Sequence, residues 1–404
     1  MTDTKDLNIN TAVANAPEIP AEFQDIAPYN DSNFKDKLAA LVREPGFEHA
    51  VRYVMPQVDY PAFVEQLLSI TRQKDFQTQV MGAFLEMLVA STTDGLTVDG
   101  LENCEAGKSY TFISNHRDIV LDASFLNLCF IRNKMPITQV AIGNNLLIYD
   151  WITDLVKINR SFIVKRGDRL AKALENARQL SGYIHFTVNS LHESVWIAQR
   201  EGRAKDSNDV TQESLLKMLA LAGGGTVKHN LCGVSLLPVS ISYEYDPNDY
   251  LKAREFLLKR RDPEYKKTQR DDLFSMETGI TKPKGRIHFH LGACINARLE
   301  KLQSEDKAEV VRAAGNMIDH DIHSNYYIFP CNYIAYDTLL DRPRFADCYT
   351  AEDVEKFEKY ITGQLDKVDV PDITPTEREF MRHLIMEMYA NPLRNKLAAC
   401  DSHI

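Results

Sequence analysis

Long apolar runs are missing from this 404-residue chain. No stretch of about 18 apolar residues occurs, so nothing in it reads as a bilayer-spanning helix. The nearest approach, residues 80–90, is short and carries Glu86. Residues 1–21 have neither a basic start nor an apolar stretch, which excludes a secretory signal. No CxxC pair occurs among the 7 cysteines. An odd, scattered set reads as reduced thiols in a cytoplasmic protein rather than a disulfide framework. Positive charge is also short. A net charge of −10 argues against a general nucleic-acid binder. Gly223-Gly224-Gly225 lacks a following Lys-Ser/Thr, so it is not a phosphate loop. There is no internal repeat and no low-complexity tract. What is present is ordinary globular material, 44% hydrophobic and 26% charged, enough for a large core.

Along the chain, residues 1–30 are polar and broken by Pro17, Pro20 and Pro28, which predicts a flexible N-terminal arm. Residues 31–95 carry apolar stripes at helical spacing, among them Phe34, Leu38 and Leu41, then Phe63, Leu67, and then Val80, Phe84, Leu88. They predict a bundle of three or so helices whose stripes form its core. Residues 92–107 read as a turn-rich approach. From there, strands alternate with helices. The candidate strands are 111–114, 138–142, 162–165, 194–199, 233–243 and 286–291, with helical patterns near 119–131, 145–156, 168–190, 210–222 and 249–260. This order predicts an α/β domain over 96–296, a mixed sheet flanked by helices. Residues 297–404 read as a helical C-terminal region.

The chemistry concentrates in one turn. The apolar run Tyr110–Ile113 is followed by Ser114, Asn115, His116, Arg117 and Asp118, and then by the helical pattern near 119–131, which holds Asp122. A strand that turns into a helix delivers side chains to the crevice where open α/β sheets bind ligands. A His beside a carboxylate suits general-base work, because the carboxylate fixes the ring's tautomer and stabilises the imidazolium. Three further clusters follow at strand ends. Arg160, Lys165 and Arg166 flank the apolar Phe162-Ile163-Val164 and suit an anion. Glu201, Gly202, Arg203 and Lys205 follow the apolar 195–198 segment, with Gly202 allowing close backbone approach. Leu237-Pro238-Val239 opens the fourth.

In this order the four clusters resemble the glycerolipid acyltransferases. That family's blocks are Asn-His with an Asp after four residues, a Phe-Ile segment ending in Arg, Glu-Gly-Thr-Arg after an apolar strand, and a strand with Pro-Val. Here Asn115-His116, Phe162-Ile163 with Lys165-Arg166, Glu201-Gly202-Arg203 and Leu237-Pro238-Val239 stand in their places, over roughly 95–295. The chain departs from the pattern in having five residues between His116 and Asp122 and no Thr in the third block. Asp118 is then a competing partner for His116. Asp122 can serve only if the helix starts late or bulges, since one extra residue turns a helical side chain by about 100°.

The resemblance implies an O-acyltransferase acting between an acyl-CoA or acyl carrier protein thioester and a glycerol-phosphate or lysophospholipid hydroxyl. His116 would be the base, with Asp122 or Asp118 orienting it. Asn115, Arg117, Lys165, Arg166, Glu201, Gly202, Arg203 and Lys205 would hold the substrate, with Glu201 anchoring its loop to backbone N–H groups. No metal or other cofactor is implied. The protein is expected to be cytoplasmic and peripheral on the inner face of the membrane. Residues 252–270, with eight basic against three acidic side chains, offer a dock for acyl carrier protein or anionic lipid. The alternatives are an amino-acid lipid as acceptor, or a non-catalytic lipid-binding protein.

Overall fold

The computed structural model describes residues 17–167 and 170–401. Seven strands form one sheet: β1 Gly95–Asp99, β2 Thr111–Ser114, β3 Gln139–Gly143, β4 Ser161–Val164, β5 Val195–Ala198, β6 Leu236–Tyr243 and β7 Arg286–Leu291. Their order is β1-β7-β6-β2-β5-β3-β4, parallel throughout except for the antiparallel β6–β7 pair. This is the mixed α/β sheet that the alternation predicts. β2 lies near the centre and is buried along its whole length. It buries an apolar side chain on each face, Phe112 on one and Ile113 on the other, because helices cover both.

The helices that follow in order are α1 Asp31–Leu41, α2 Pro45–Val54, α3 Tyr60–Ser69, the single turn α4 Gln73–Asp75 and α5 Gly82–Thr92, the last two joined by a π-helical segment, Phe76–Met81. Between the strands lie α6 Leu121–Arg132, α7 Asp150–Ile158, α8 Leu170–Asn189, α9 Glu213–Leu219, α10 Val227–Gly233, α11 Asp249–Arg261 and α12 Gln269–Thr281. The chain ends in α13 Asn296–Glu300, α14 Lys307–Ser324, α15 Pro330–Leu340, α16 Ala351–Leu365 and α17 Pro375–Asp401.

Ile113 and Phe112, adjacent on β2, point to opposite faces of the sheet. Ile113 joins a core with residues of α8, α9, α10 and α14, and Phe112 joins a second core with α5 and α6. α14 is therefore a covering layer of the sheet, and Ser240 Oγ on β6 bonds the Ile322 carbonyl at its end. α15, α16 and α17 build a third core with α11, and α1 to α3 build a fourth with α7.

Four expectations need correction. Residues 17–30 of the arm are packed: Phe23 stacks edge-on against Tyr183, Ile26 and Ala27 are buried, and Ile163 N–H donates to the Ile26 carbonyl. Apolar anchors among the polar residues outweigh the prolines there. Residues 1–16 lie outside the described residues. The approach at 92–107 contains β1, an edge strand with a single fully buried side chain, Leu96, and hence almost no pattern. The strand expected from 233 begins at 236, because α10, capped by Thr226 on His229 N, runs to Gly233. α12 was not expected. Its start is set by a capping box between Thr268 and Asp271 rather than by an apolar stripe. Among the described residues, no helix is long and apolar enough to cross a membrane.

Candidate active site

β2 ends at Ser114, and the six residues 115–120 form the turn into α6. The turn is built by two aspartates. Asp118 Oδ1 accepts from Val120 N at 2.9 Å and Leu121 N at 2.8 Å, capping α6. Its other oxygen lies against Gly279 of α12, where any side chain would collide with it. The helix thus starts late, at Leu121, and the extra residue is absorbed in the turn. Asp122 then points back: its Oδ2 accepts from His116 Nδ1 at 2.8 Å, Arg117 N at 2.7 Å and Asp118 N at 3.0 Å.

Where the Asp122 carboxylate accepts, Nδ1 of His116 is the donor, so in the neutral ring Nε2 is the nitrogen left with a lone pair. The ring is fixed from the side by Trp196, edge-on at 5.8 Å, whose Nε1–H donates to Ser114 Oγ at 3.1 Å. Behind Asp122 stands the Tyr243 phenol, which burial and the carboxylates of Asp122 and Asp118 hold well above its ordinary pKa. Burial, and then Asp122, push the Asp118 carboxyl upward.

His116 opens on a single large cavity of about 2280 Å³. That is more than twice the roughly 300–1,000 Å³ usual for a small-molecule site. Its apolar wall comes from α2, α3, the π segment, α5, α6 and α7, with Phe47, Val54, Phe63, Val80, Phe84 and Leu155 among the lining. The apolar stripes of residues 31–95 are therefore not only core, as their spacing predicts. One side of them faces this cavity. The charged end carries Lys165, Arg166, Arg200, Glu201, Arg203, Lys205, Asn248 and Lys252.

The structure sorts the remaining candidates. Lys165 pairs with Asp25 and Gln179, Arg166 reaches Glu201 at 3.4 Å, and Lys205 pairs with Glu255. Glu201 thus anchors its loop through a side-chain cation, not through backbone N–H groups. Gly202 has φ +69° with open space around it, so it serves the turn rather than a close approach. Asn115 is turned inward: its amide bridges Ile241, donating to the carbonyl at 2.9 Å and accepting from the N–H at 2.8 Å. It ties β2 to β6 and is not a substrate ligand. Arg117 does not line the cavity. It lies buried behind it, 3.9 Å from Asp246, with Asp209 also nearby.

Arg203 and Arg200 stand apart from the cations named at the charged end. Neither has an ion pair or hydrogen bond among the described residues, and Arg203 Nη1 is buried without one. Arg200 adjoins the Glu-Gly block but is not among the residues that the sequence singles out. Asn248 had no signal in the sequence. Among the described residues no group of three or more His, Cys, Asp or Glu is arranged to hold an ion.

No protein-family model matches the chain, and no curated protein matches it. Among solved structures, the 1-acyl-sn-glycerophosphate (LPA) acyltransferase PlsC from Thermotoga maritima is similar, with a TM-score of 0.38 and 13% sequence identity, over 70% of this chain and 94% of that one.

Proposed function

We propose that the protein is an acyltransferase that moves a fatty acyl group from a thioester, on coenzyme A or acyl carrier protein, to a hydroxyl of an anionic acceptor of the glycerol-phosphate or lysophospholipid class. The observation that carries this reading is the His116–Asp122 pair on a cavity with an apolar wall, where, among the described residues, neither Nε2 nor Arg200 nor Arg203 has a hydrogen-bond or ion-pair partner.

The chemistry follows from those parts. Nε2 of His116 takes the proton of the acceptor hydroxyl, and Asp122 stabilises the imidazolium that forms. The alkoxide attacks the thioester carbonyl carbon and gives a tetrahedral oxyanion. Its collapse breaks the C–S bond, and the thiolate takes the proton back from His116. The acyl chain lies along the apolar wall, and Arg200 and Arg203 hold the acceptor's anion, which does not react. The extra residue does not part His116 from Asp122, which supports a catalytic over a non-catalytic reading. Arg166 and Lys165, being paired, steady the rim.

The test is a transfer assay on purified full-length protein. Acyl-CoA and acyl carrier protein thioesters are offered with glycerol 3-phosphate, lysophosphatidate and an amino-acid lyso-lipid. The expected result is an ester product that depends on both substrates. Thioester consumption with no acceptor product would contradict the reading.

A further inference from the structure

A side chain outside the four sequence clusters occupies the charged end of the cavity. Asn248 is 1% exposed, yet it lines the cavity, and both its Oδ1 and its Nδ2 lack a hydrogen-bond partner among the described residues. Buried amides are normally satisfied, so an orphan of this kind calls for a cause. Packing does not supply one. Asn248 is the residue before α11, but its side chain makes no capping bond. Its backbone is held in place instead: Asn248 N donates to Asp246 Oδ1 at 2.9 Å, and Asp246 is itself fixed by Lys252 and by Tyr389 Oη on its N–H. Arg203 Nη1 on the same cavity is also buried without a partner among the described residues, as is Gln77 Oε1 on the π segment of the wall.

We infer that Asn248 and Arg203 together select the acceptor's head group, requiring an anion with a hydrogen-bond donor beside it. Arg203 supplies charge to the anion. The amide of Asn248 adds what a cation cannot: Oδ1 accepts from a hydroxyl or an amide N–H, while Nδ2 donates to an oxygen of the same group. Two sources share this chemistry, a phosphate next to a hydroxyl and a carboxylate next to an amide. The inference rests on reading this cavity as the acceptor site, but its test does not require turnover.

Trp151 and Trp196, the protein's 2 tryptophans, both line the cavity, so intrinsic fluorescence reports binding there. Two ligand pairs isolate the donor: methyl phosphate against glycerol 3-phosphate, and acetate against N-acetylglycine. In the wild type, the donor-bearing member of one pair should bind roughly tenfold tighter than its partner, the scale of one or two net hydrogen bonds. Which pair shows the effect identifies phosphate or carboxylate. Asn248→Ala should erase that preference, and Arg203→Ala should weaken both members alike. Asn248→Asp separates recognition from structure. The side chain makes no capping bond, so a merely structural role predicts no more loss of anion binding in Asn248→Asp than in Asn248→Ala. A recognition role predicts the weakest anion binding of the series. Preference retained in Asn248→Ala, or undiminished binding in Asn248→Asp, would overturn the inference. No preference in either wild-type pair would do so as well. A protein that binds in this pattern but transfers no acyl group would refute the proposed function and leave the head-group assignment standing.

Discussion

Asp122 and Asp118 are both buried within one turn of His116, and their hydrogen bonds give them different duties. Asp122 accepts from the imidazole and from two backbone N–H groups, whereas Asp118 accepts only from the first N–H groups of α6. Asp122→Asn should therefore lower kcat by about 10²- to 10⁴-fold with little change in acceptor KM, because it disturbs the tautomer of the base. Asp118→Asn keeps a capping oxygen and should leave kcat within a few-fold of wild type. Asp118→Ala should instead cost roughly 0.5–2 kcal/mol of stability in thermal unfolding. Equal kinetic damage from both Asn variants would contradict this division. Arg203→Ala should mainly raise the acceptor's KM, since it removes binding shared by ground and transition states. At this scale, His116 and both aspartates were legible in the sequence, as polar residues crowded behind a short apolar strand. Which aspartate serves was not, because that depends on where α6 begins, and capping bonds set the beginning. Arg200 and Asn248 stand out only through the partners they lack, and spacing along a chain does not record that.

α11 joins the site to the C-terminal helices through another buried carboxyl. Asp249 accepts from Tyr389 Oη at 2.8 Å and Tyr360 Oη at 2.9 Å, and it also bonds the Gln364 side chain. Burial, and then the neighbouring Asp246, raise its pKa to about 7. A carboxyl with a raised folded pKa binds more protons folded than unfolded. Its contribution is therefore full below the unfolded value of 3.8 and is lost as pH rises through about 7. The Tm of the wild type should fall between pH 5 and pH 8 more steeply than that of Asp249→Asn, which lacks this titration. Parallel profiles in differential scanning calorimetry would place the proton elsewhere. The inner strands β2, β5 and β6 were legible because they are buried on both faces and read as largely apolar runs. β1, α10 and α12 escaped because an edge strand and short, capped helices bury too little to show a period.

For the molecule as a whole, the basic stretch 252–270 is mostly spent internally. Lys252 pairs with Asp246, Arg254 with Asp271, Lys259 with Glu255, Arg261 with Glu377 and Lys267 with Asp272, while Arg260 lies over the Phe380 ring. It is not the free basic face that composition predicts. The rim of the cavity offers a different surface, with Tyr53, Met87, Tyr149 and Phe274 exposed on its lining. If the acceptor is a lysophospholipid drawn from a bilayer, contact should be made by this rim. Flotation with anionic vesicles should then survive 0.5 M salt and be lost in a Tyr149→Glu, Phe274→Glu double variant. Release by salt alone would return the role to charge. The most direct test of the whole account remains the base itself. The rate of acyl transfer from thioester to acceptor is measured for the wild type and for His116→Ala, with circular dichroism and thermal unfolding as controls. The account predicts a loss of about 10²- to 10⁴-fold at unchanged fold and Tm. Full activity in the folded His116→Ala variant would contradict it.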